Sequence, residues 1–426
     1  MDINSGQQLF HRILEDLITE ITEYMGREGE EPVTYYYLEA LNSISSVEKK
    51  DVAPFLAQSI NSALELAKLR LPLKYIVCEI LHYPVSAKAL SLANINDYTD
   101  GKLQLIIEKL LATEDYFENY LPWKQEKELS QKTYNELNTS QKSVWKERTI
   151  ENASQVLIQI SQIPEIALMK LIERISLLKV ATNIFQVPIA QNIAQQTLDI
   201  HAVVAEILGI WSIKWQLEDY AFKLLQPAEY DLIVRDLNER RQAREDAIQF
   251  AKDILTEALQ EEGLKDFMIT GRPKHIYGLY KKSKDLGQSI KMINDNLGIR
   301  VLVNSEEDCY RTLGILHELY KPAEGVYGDN LFRDWIVNPK PNNYQSIHTT
   351  VQFDEKNHEL KNVTRLLEVQ IRTYEMHDVA EYGVASHWVY RKAGNSPKMQ
   401  NRYSKYIEDV AVFRRNFEER QKQRKG

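Results

Sequence analysis

The sequence of 426 residues predicts an α+β multidomain protein, an all-helical N-terminal region followed by a mixed α/β domain. Three observations carry this. The length exceeds what one ordinary core serves, so two or more domains are expected. Up to about Gly263 apolar residues recur at helical spacing, as in "FLAQSINSALELAKL" and "ALMKLIERISLLKVA". Beyond Gly263, short runs rich in β-branched residues alternate with helical patterns, which is the mark of a layered α/β domain.

In the helical part, Pro32, Pro54, Pro72, Pro84, Pro122, Pro164, Pro188 and Pro227 are expected between helices rather than inside them. The polar segment from Tyr116 to Glu151 reads as a solvated helix or a connector. Helical patterning continues through "HAVVAEILGIWSIKWQLEDYAFKLL" and "RQAREDAIQFAKDILTEALQEEG", with Gly263 as the stop. Four strands are then predicted, in "LKDFMIT", "LGIRVLVN", "QSIHTTVQF" and "RLLEVQIRT". Helices are predicted in "KHIYGLYKKSKDL", "EEDCYRTLGILHELY" and "YEMHDVAEYGVASHWVYRK". From Ala393 onward the chain reads as a charged helix or solvated tail.

Composition narrows the class. With 43% hydrophobic and 27% charged residues the chain is globular, and its net charge of −8 argues against nonspecific coating of duplex DNA. Cys78 and Cys309 lack metal-ligand spacing and fit a reducing cytoplasm. The N-terminus lacks the basic start and apolar core of a signal peptide. No apolar run approaches the ~20 residues of a membrane span, so a cytosolic protein without membrane contact is expected.

Charge reverses locally between Lys265 and Arg300. Lys265, Arg272, Lys274, Lys281, Lys282, Lys284, Lys291 and Arg300 face only Asp266, Asp285 and Asp295 there. Such a cluster suits a polyphosphate or forms a solvated helix face. The placement of "TGRPKH" between a predicted strand and helix favours phosphate, because helix N-termini carry free backbone N–H groups. No GxxxxGK[ST] is present, so this is not a P-loop. Glu368 lies in the otherwise apolar "LLEVQIRT", a costly place for a carboxylate unless it is paired or bound to metal. Asp295 and Glu368 from separate strands could hold Mg²⁺; alternatively Glu368 pairs with Arg365, Arg372 or Arg300. The loop "NPKPNNYQSIHTT" (338–350) places an aromatic ring, a lysine and several hydrogen-bonding side chains where turns usually collect small residues.

"GRPKHIYGLYKK", "NPKPNNYQSIHTT", "EVQIRT" and "MHDVAEYGVASHW", in this order and spacing, resemble the synthetase domain of the RelA/SpoT homologue family. The resemblance covers about Gly263 to Lys392 and implies a nucleotidyltransferase-like fold. It also implies transfer of pyrophosphate from ATP to the ribose 3′-hydroxyl of GDP or GTP, making (p)ppGpp. On this resemblance Arg272, Lys274, His275 and Lys282 bind ATP. Tyr344 stacks on guanine, and Lys340, Asn342, Gln345 and His348 hold the acceptor, with Arg372 and His377 completing that pocket. His377 on a packed helix can equally be a structural histidine. Asp295 and Glu368 match the Mg²⁺ ligands, and Glu368 the base for the 3′-hydroxyl.

Departures from the family pattern are visible. Gly278 stands where many members have serine, and Asn343 where glycine is usual. Arg333 in "LFRD" brings that stretch closer to its basic form, which favours GDP. The N-terminal half resembles the family's Mn²⁺-dependent HD-type hydrolase with its ligands lost. Gln58, Tyr83, Ser86, Ala87, Glu173 and Ser176 fill the ligand and acidic positions, and only His82 is kept, as a core histidine.

The expected organisation is a pseudo-hydrolase domain over 1–200, a helical connector over 201–262, a synthetase domain over 263–392 and a tail over 393–426. The helical domain is expected to restrain the synthetase through the connector around Trp211 and Trp215. Acceptors such as adenosine nucleotides or tRNA 3′ ends, and a catalytically weak nucleotide sensor, are the alternatives. Contact with a ribosome or tRNA has no support in the sequence, and oligomeric state is open.

Overall fold

The computed structural model describes residues 3–45, 53–95, 101–117, 140, 164–239, 241–272, 275–287, 297–323, 332–340, 344–352 and 366–382. The chain divides into two compact units, one within Met1–Leu208 and one spanning Gly209–Gly383. Most of the expected segment 116–151, much of the helix after Tyr382 and the tail lie outside the described residues.

The first unit is helical throughout its described part. It comprises α1 (Ile3–Met25), α2 (Glu30–Ser45), α3 (Ala53–Lys68), α4 (Leu73–Ser86), α5 (Leu103–Phe117), α6 (Pro164–Ile184), α7 (Val187–Gln196) and α8 (Ala202–Ile207). Two helices are buried all round and form its centre. Tyr75 through Pro84 of α4 are all buried, as are Leu168, Met169, Leu171, Leu177 and Ala181 of α6. Pro32, Pro54, Pro164, Pro188 and Pro227 fall in the first turns of their helices, where no intrahelical N–H bond is lost. Pro84 departs from the expectation, because it lies inside α4, well past its first turn. It sits in the last turn, where only two residues follow before the helix ends. The missing N–H therefore costs one bond, and the Pro84 carbonyl is taken by the N–H groups of Ala89 and Leu90.

The second unit carries α9 (Trp211–Leu225), α10 (Pro227–Glu239), α11 (Arg241–Glu261), α12 (Ile276–Leu286), α13 (Glu306–Leu319) and α14 (Tyr374–Tyr382) around a five-stranded sheet. Its strands are β1 (Met268–Gly271), β2 (Leu297–Val303), β3 (Arg333–Asp334), β4 (Ile347–Gln352) and β5 (Leu366–Thr373), in the order β1-β2-β5-β4-β3. The pair β2–β5 is parallel and the other pairs are antiparallel, so the sheet is mixed. β1 is shorter than the predicted strand because Gly263 and Asp266 adopt positive φ, of 75° and 56°, and turn the chain before Met268. The two-residue β3 is too short to leave a sequence pattern.

Strand alternation divides the sheet into two chemically distinct faces. Leu297, Ile299, Val301 and Val303 of β2 and Leu367, Val369 and Ile371 of β5 share one core with Ala247, Ala251, Leu255 and Leu259 of α11. The intervening positions are Gly298 and Arg300 on β2, Glu368, Gln370 and Arg372 on β5, and His348 on β4. The register places Gly298 beside Glu368, Arg300 beside Gln370, and His348 beside Gln370 from the other side. The same period-two pattern that makes the core thus collects the polar groups on the opposite face.

Candidate active site

Glu368 is held by Arg272, whose Nη1 lies 3.1 Å from Glu368 Oε2. This differs from the three arginines that sequence spacing nominated. Arg300 and Arg372 turn instead to Glu381, and Arg365 lies outside the described residues. Arg272 reaches across Gly298: its backbone N–H donates to the Gly298 carbonyl at 2.8 Å, which continues the β1–β2 pairing. A Cβ on Gly298 would stand 3.4 Å from Arg272 Cβ, at the near limit of ordinary contact. Glycine at 298 leaves Arg272 room where it crosses to the carboxylate.

The two inner arginines form a second cluster. Arg372, only 1% exposed, places Nη2 2.6 Å from His377 Nδ1 and 3.0 Å from Glu381 Oε1. Arg300 Nη1 lies 3.1 Å from the same carboxylate oxygen. Two guanidinium groups share one carboxylate, so the cluster keeps a positive charge. Burial, then Arg372 and Arg300, push the His377 pKa down to about 3, and the ring is neutral at physiological pH. Glu381 is within the "MHDVAEYG" segment but was not singled out in the sequence, where nothing distinguishes it from a solvated helix carboxylate.

Around the acceptor loop, Tyr344 is buried at 7% exposure. Its ring meets Trp211, Trp335 and His348 edge-on, with centroids 5.9, 5.7 and 5.8 Å away. The Tyr344 hydroxyl and His348 Nε2 share a hydrogen bond of 2.8 Å. Burial, followed by Arg272, Lys340, Arg372 and Arg333, lowers the His348 pKa to about 2. Lys340 Nζ sits inside an aromatic cage, 4.0 Å from the Trp335 centroid, 5.1 Å from Tyr344 and 5.4 Å from Trp211. Gln345 donates to the Ile336 carbonyl and so braces its own loop. The structure thus gathers Lys340, Tyr344 and His348 in one place, and adds Trp211 and Trp335. Asn342 lies outside the described residues.

On the donor side the expected open helix N-terminus is already occupied. Asp219 of α9 accepts from the N–H groups of Tyr277 at 2.8 Å and Ile276 at 3.4 Å, the first amides of α12. His275, at the N-cap position, makes no cap of its own. Its Nδ1 lies 2.8 Å from Asp219 Oδ1, and its Nε2 is hydrogen-bonded to Glu218 Oε2 at 2.8 Å. Burial lowers the basicity of His275, but hydrogen bonds to Asp219 and Glu218 and their charges outweigh it, so its pKa is raised. Gly278 makes room for this ring, since a Cβ there would approach His275 Cδ2 to 3.2 Å. Lys282 is exposed on α12. Lys274 and Asp295 lie outside the described residues.

In the first unit, His82, Tyr83, Ser86, Glu173 and Gln58, named in the sequence for the hydrolase resemblance, belong to one mostly buried polar cluster. His82 Nε2 lies 2.6 Å from Glu114 Oε1, and Nδ1 lies 3.5 Å from Glu173 Oε1. The Tyr83 hydroxyl donates to Glu173, and Ser86 donates to Glu114 at 2.6 Å. Lys170 Nζ lies 2.8 Å from Glu173 Oε2, while Gln58 donates to the Glu173 carbonyl at 3.2 Å. Burial alone would raise the Glu173 pKa; Lys170, His82 and the hydrogen bond from Tyr83 bring it below its ordinary value. Among the described residues no group of three or more His, Cys, Asp or Glu could hold a metal ion. A cluster braced by an ammonium and a phenol does not fit the Mn²⁺ centre that the resemblance implies.

A sheet face that sets one carboxylate among guanidinium groups, beside an aromatic cage, is suited to anionic aromatic ligands. Residues 271–395 match the family described as a region found in RelA / SpoT proteins, and through this region the chain belongs to that family. The probable guanosine-3′,5′-bis(diphosphate) 3′-pyrophosphohydrolase of Synechocystis sp. is 39% identical over 59% of this chain and 31% of its own. The guanosine-3′,5′-bis(diphosphate) 3′-pyrophosphohydrolase of Aquifex aeolicus is 31% identical over 92% of this chain and 50% of its own. The GTP pyrophosphokinase of Myxococcus xanthus is 37% identical over 58% and 30%. The chain spans half or less of the length of these curated relatives. The small alarmone synthetase 1 of Bacillus subtilis bound to its product pppGpp superposes over 45% of this chain and 97% of that one. Its TM-score is 0.28 at 21% identity, too slight a likeness to carry an argument. Among the described residues no helix is long and apolar enough to cross a membrane.

The buried cluster makes a stability prediction. Lys170→Met leaves Glu173, 2% exposed, without its ammonium partner. Breaking a buried pair on one side costs about 3–5 kcal/mol. Thermal melting should show the loss, and the double variant Lys170→Met/Glu173→Gln should recover part of it.

Proposed function

We propose that the second unit transfers the β,γ-pyrophosphate of ATP to the ribose 3′-hydroxyl of GDP or GTP, making (p)ppGpp and releasing AMP. The observation that carries this reading is Glu368, paired with Arg272 on the sheet face that also carries Arg300 and Arg372. A ribose hydroxyl is a weak nucleophile at neutral pH and needs a carboxylate within hydrogen-bond reach to take its proton. Glu368 takes that role as the 3′-oxygen attacks the β-phosphorus and the α,β-bridging oxygen leaves with AMP. Donor phosphates compete for Arg272, which releases Glu368 from its ion pair at the moment the donor arrives. Arg300 and Arg372, with their residual positive charge, stabilise the spreading phosphoryl charge.

Mg²⁺ usually binds through one or two carboxylates plus substrate phosphates, and Glu368 fits that demand in kind. With Asp295 it would hold an ion that neutralises charge on the transferred group. Tyr344 is the platform for the guanine ring. Its ring is covered in the present arrangement, so base stacking requires Lys340 or Trp211 to give way. Arg333 lies 5.7 Å from the Trp335 ring, and the GDP preference rests on the basic residue that it brings to "LFRD".

The first unit, on this reading, is a pseudo-hydrolase of the HD type. Two of the relatives are named as hydrolases, yet here the ligand positions hold Gln58, Tyr83 and Lys170-braced Glu173.

Two experiments test these assignments. With γ-labelled ATP and GDP, GTP, ADP or tRNA in turn, label should enter the guanosine nucleotides and AMP should appear in equal amount. Tyr344→Ala should weaken GDP by about 1–3 kcal/mol, as a lost stacking platform does, and leave ATP little changed. Equal losses for both nucleotides would mean that the loop had collapsed. In the second experiment the pure protein receives ppGpp and Mn²⁺, and no pyrophosphate should be released above background.

A further inference from the structure

One face of α9 touches both ends of the donor segment. Trp215, Glu218 and Asp219 stand at i, i+3 and i+4, so they project together. Trp215 stacks on His275 with centroids 6.1 Å apart and lies 6.0 Å from the Arg272 guanidinium. Glu218 holds Nε2 of His275; Asp219 contacts Nδ1 and also receives the first two amides of α12. Glu218 is itself steadied by Lys214 at 3.5 Å. The other end of the segment is fixed by Arg272, through its backbone bond to Gly298 and its side-chain bond to Glu368. Arg272 and His275 are therefore each anchored, one to Gly298 and Glu368 and the other to Glu218 and Asp219.

A carboxylate facing a triphosphate site should repel the ligand, so Asp219 needs a reason to be there. His275 supplies it by sitting between the two acids, and the amides of Ile276 and Tyr277 also donate to Asp219. Most of the polar partners of Asp219 are therefore within the clamp, although its side chain stays 26% exposed. We propose that Asp219, assisted by Glu218, is a positioning residue for the donor nucleotide, acting through His275 and the start of α12 to set the cations that meet ATP. This rests on the synthetase reading for the identity of the donor, but the clamp itself does not depend on turnover.

Asp219→Asn keeps an oxygen for the Tyr277 amide and removes the negative charge facing His275, whereas Asp219→Ala removes both. ATP binding without acceptor, measured by calorimetry on the full chain, should weaken about tenfold or more in Asp219→Ala, a loss typical of misplacement at a reacting group. Asp219→Asn should fall between, and GDP binding should stay within about twofold. Amide exchange in the peptide spanning 275–280 should accelerate in Asp219→Ala and much less in Asp219→Asn. Unchanged ATP affinity in both variants, or parallel loss of ATP and GDP, overturns the proposal. If the unaltered chain binds ATP and responds as described but makes no (p)ppGpp, the synthetase reading fails and this one stands. If the unaltered chain does not bind ATP, both fail.

Discussion

The parallel pairing of β2 with β5 is the constraint on which the rest of the second unit depends. Its register sets Gly298 beside Glu368 and Arg300 beside Gln370, and from that register the polar face follows residue by residue. A shift of one position would turn Glu368 and Arg372 into the core and bring Val369 and Ile371 to the surface. The apolar face prevents such a slip, because Ile299, Val301, Val369 and Ile371 are fully buried beneath α11. Core packing and site geometry are therefore one property of this sheet. Gly298 adds the gap through which Arg272 reaches the carboxylate.

Among the described residues most charges on and around this face are paired, and one positive charge is left over where two guanidinium groups meet one carboxylate. Arg272 takes Glu368, Arg300 and Arg372 divide Glu381, and His275 divides Glu218 and Asp219. Lys340 is caged by three rings. Such pairing keeps desolvated ions from standing alone, and each guanidinium so paired can exchange its carboxylate for an anionic ligand. The two histidines nearest the arginines are held neutral, which leaves the guanidinium groups as the cations of the inner site. In the first unit the same physics pairs a buried carboxylate from two sides, since Lys170 and Tyr83 both meet Glu173.

Much of this was legible in the sequence where a residue type broke its local pattern. Glu368 in an apolar strand and Tyr344 in a polar loop both announced themselves, and four strands and the helices between them followed from periodicity. What was hidden depends on long-range contacts. The partner of Glu368 lies 96 residues away, and Asp219 reaches Tyr277 across 58; no spacing rule links such positions. Glu218, Asp219 and Glu381 look like ordinary helix-surface acids until the fold brings cations to them. The helix N-terminus of "GRPKH" looks open in the sequence because its cap, Asp219, comes from another helix. Pro84 was placed outside a helix because proline usually ends one, and the last turn is where that rule relaxes.

The central claim is that Glu368 acts through its charge on the polar face and is not a strut of the sheet. Glu368→Gln keeps the shape and removes the charge and the base, so turnover of ATP with GDP and thermal melting should be measured on one sample. The account predicts a melting point close to that of the unaltered chain and a rate lower by ~10²–10⁴-fold or more. A folded Glu368→Gln protein that makes (p)ppGpp near the original rate would contradict it.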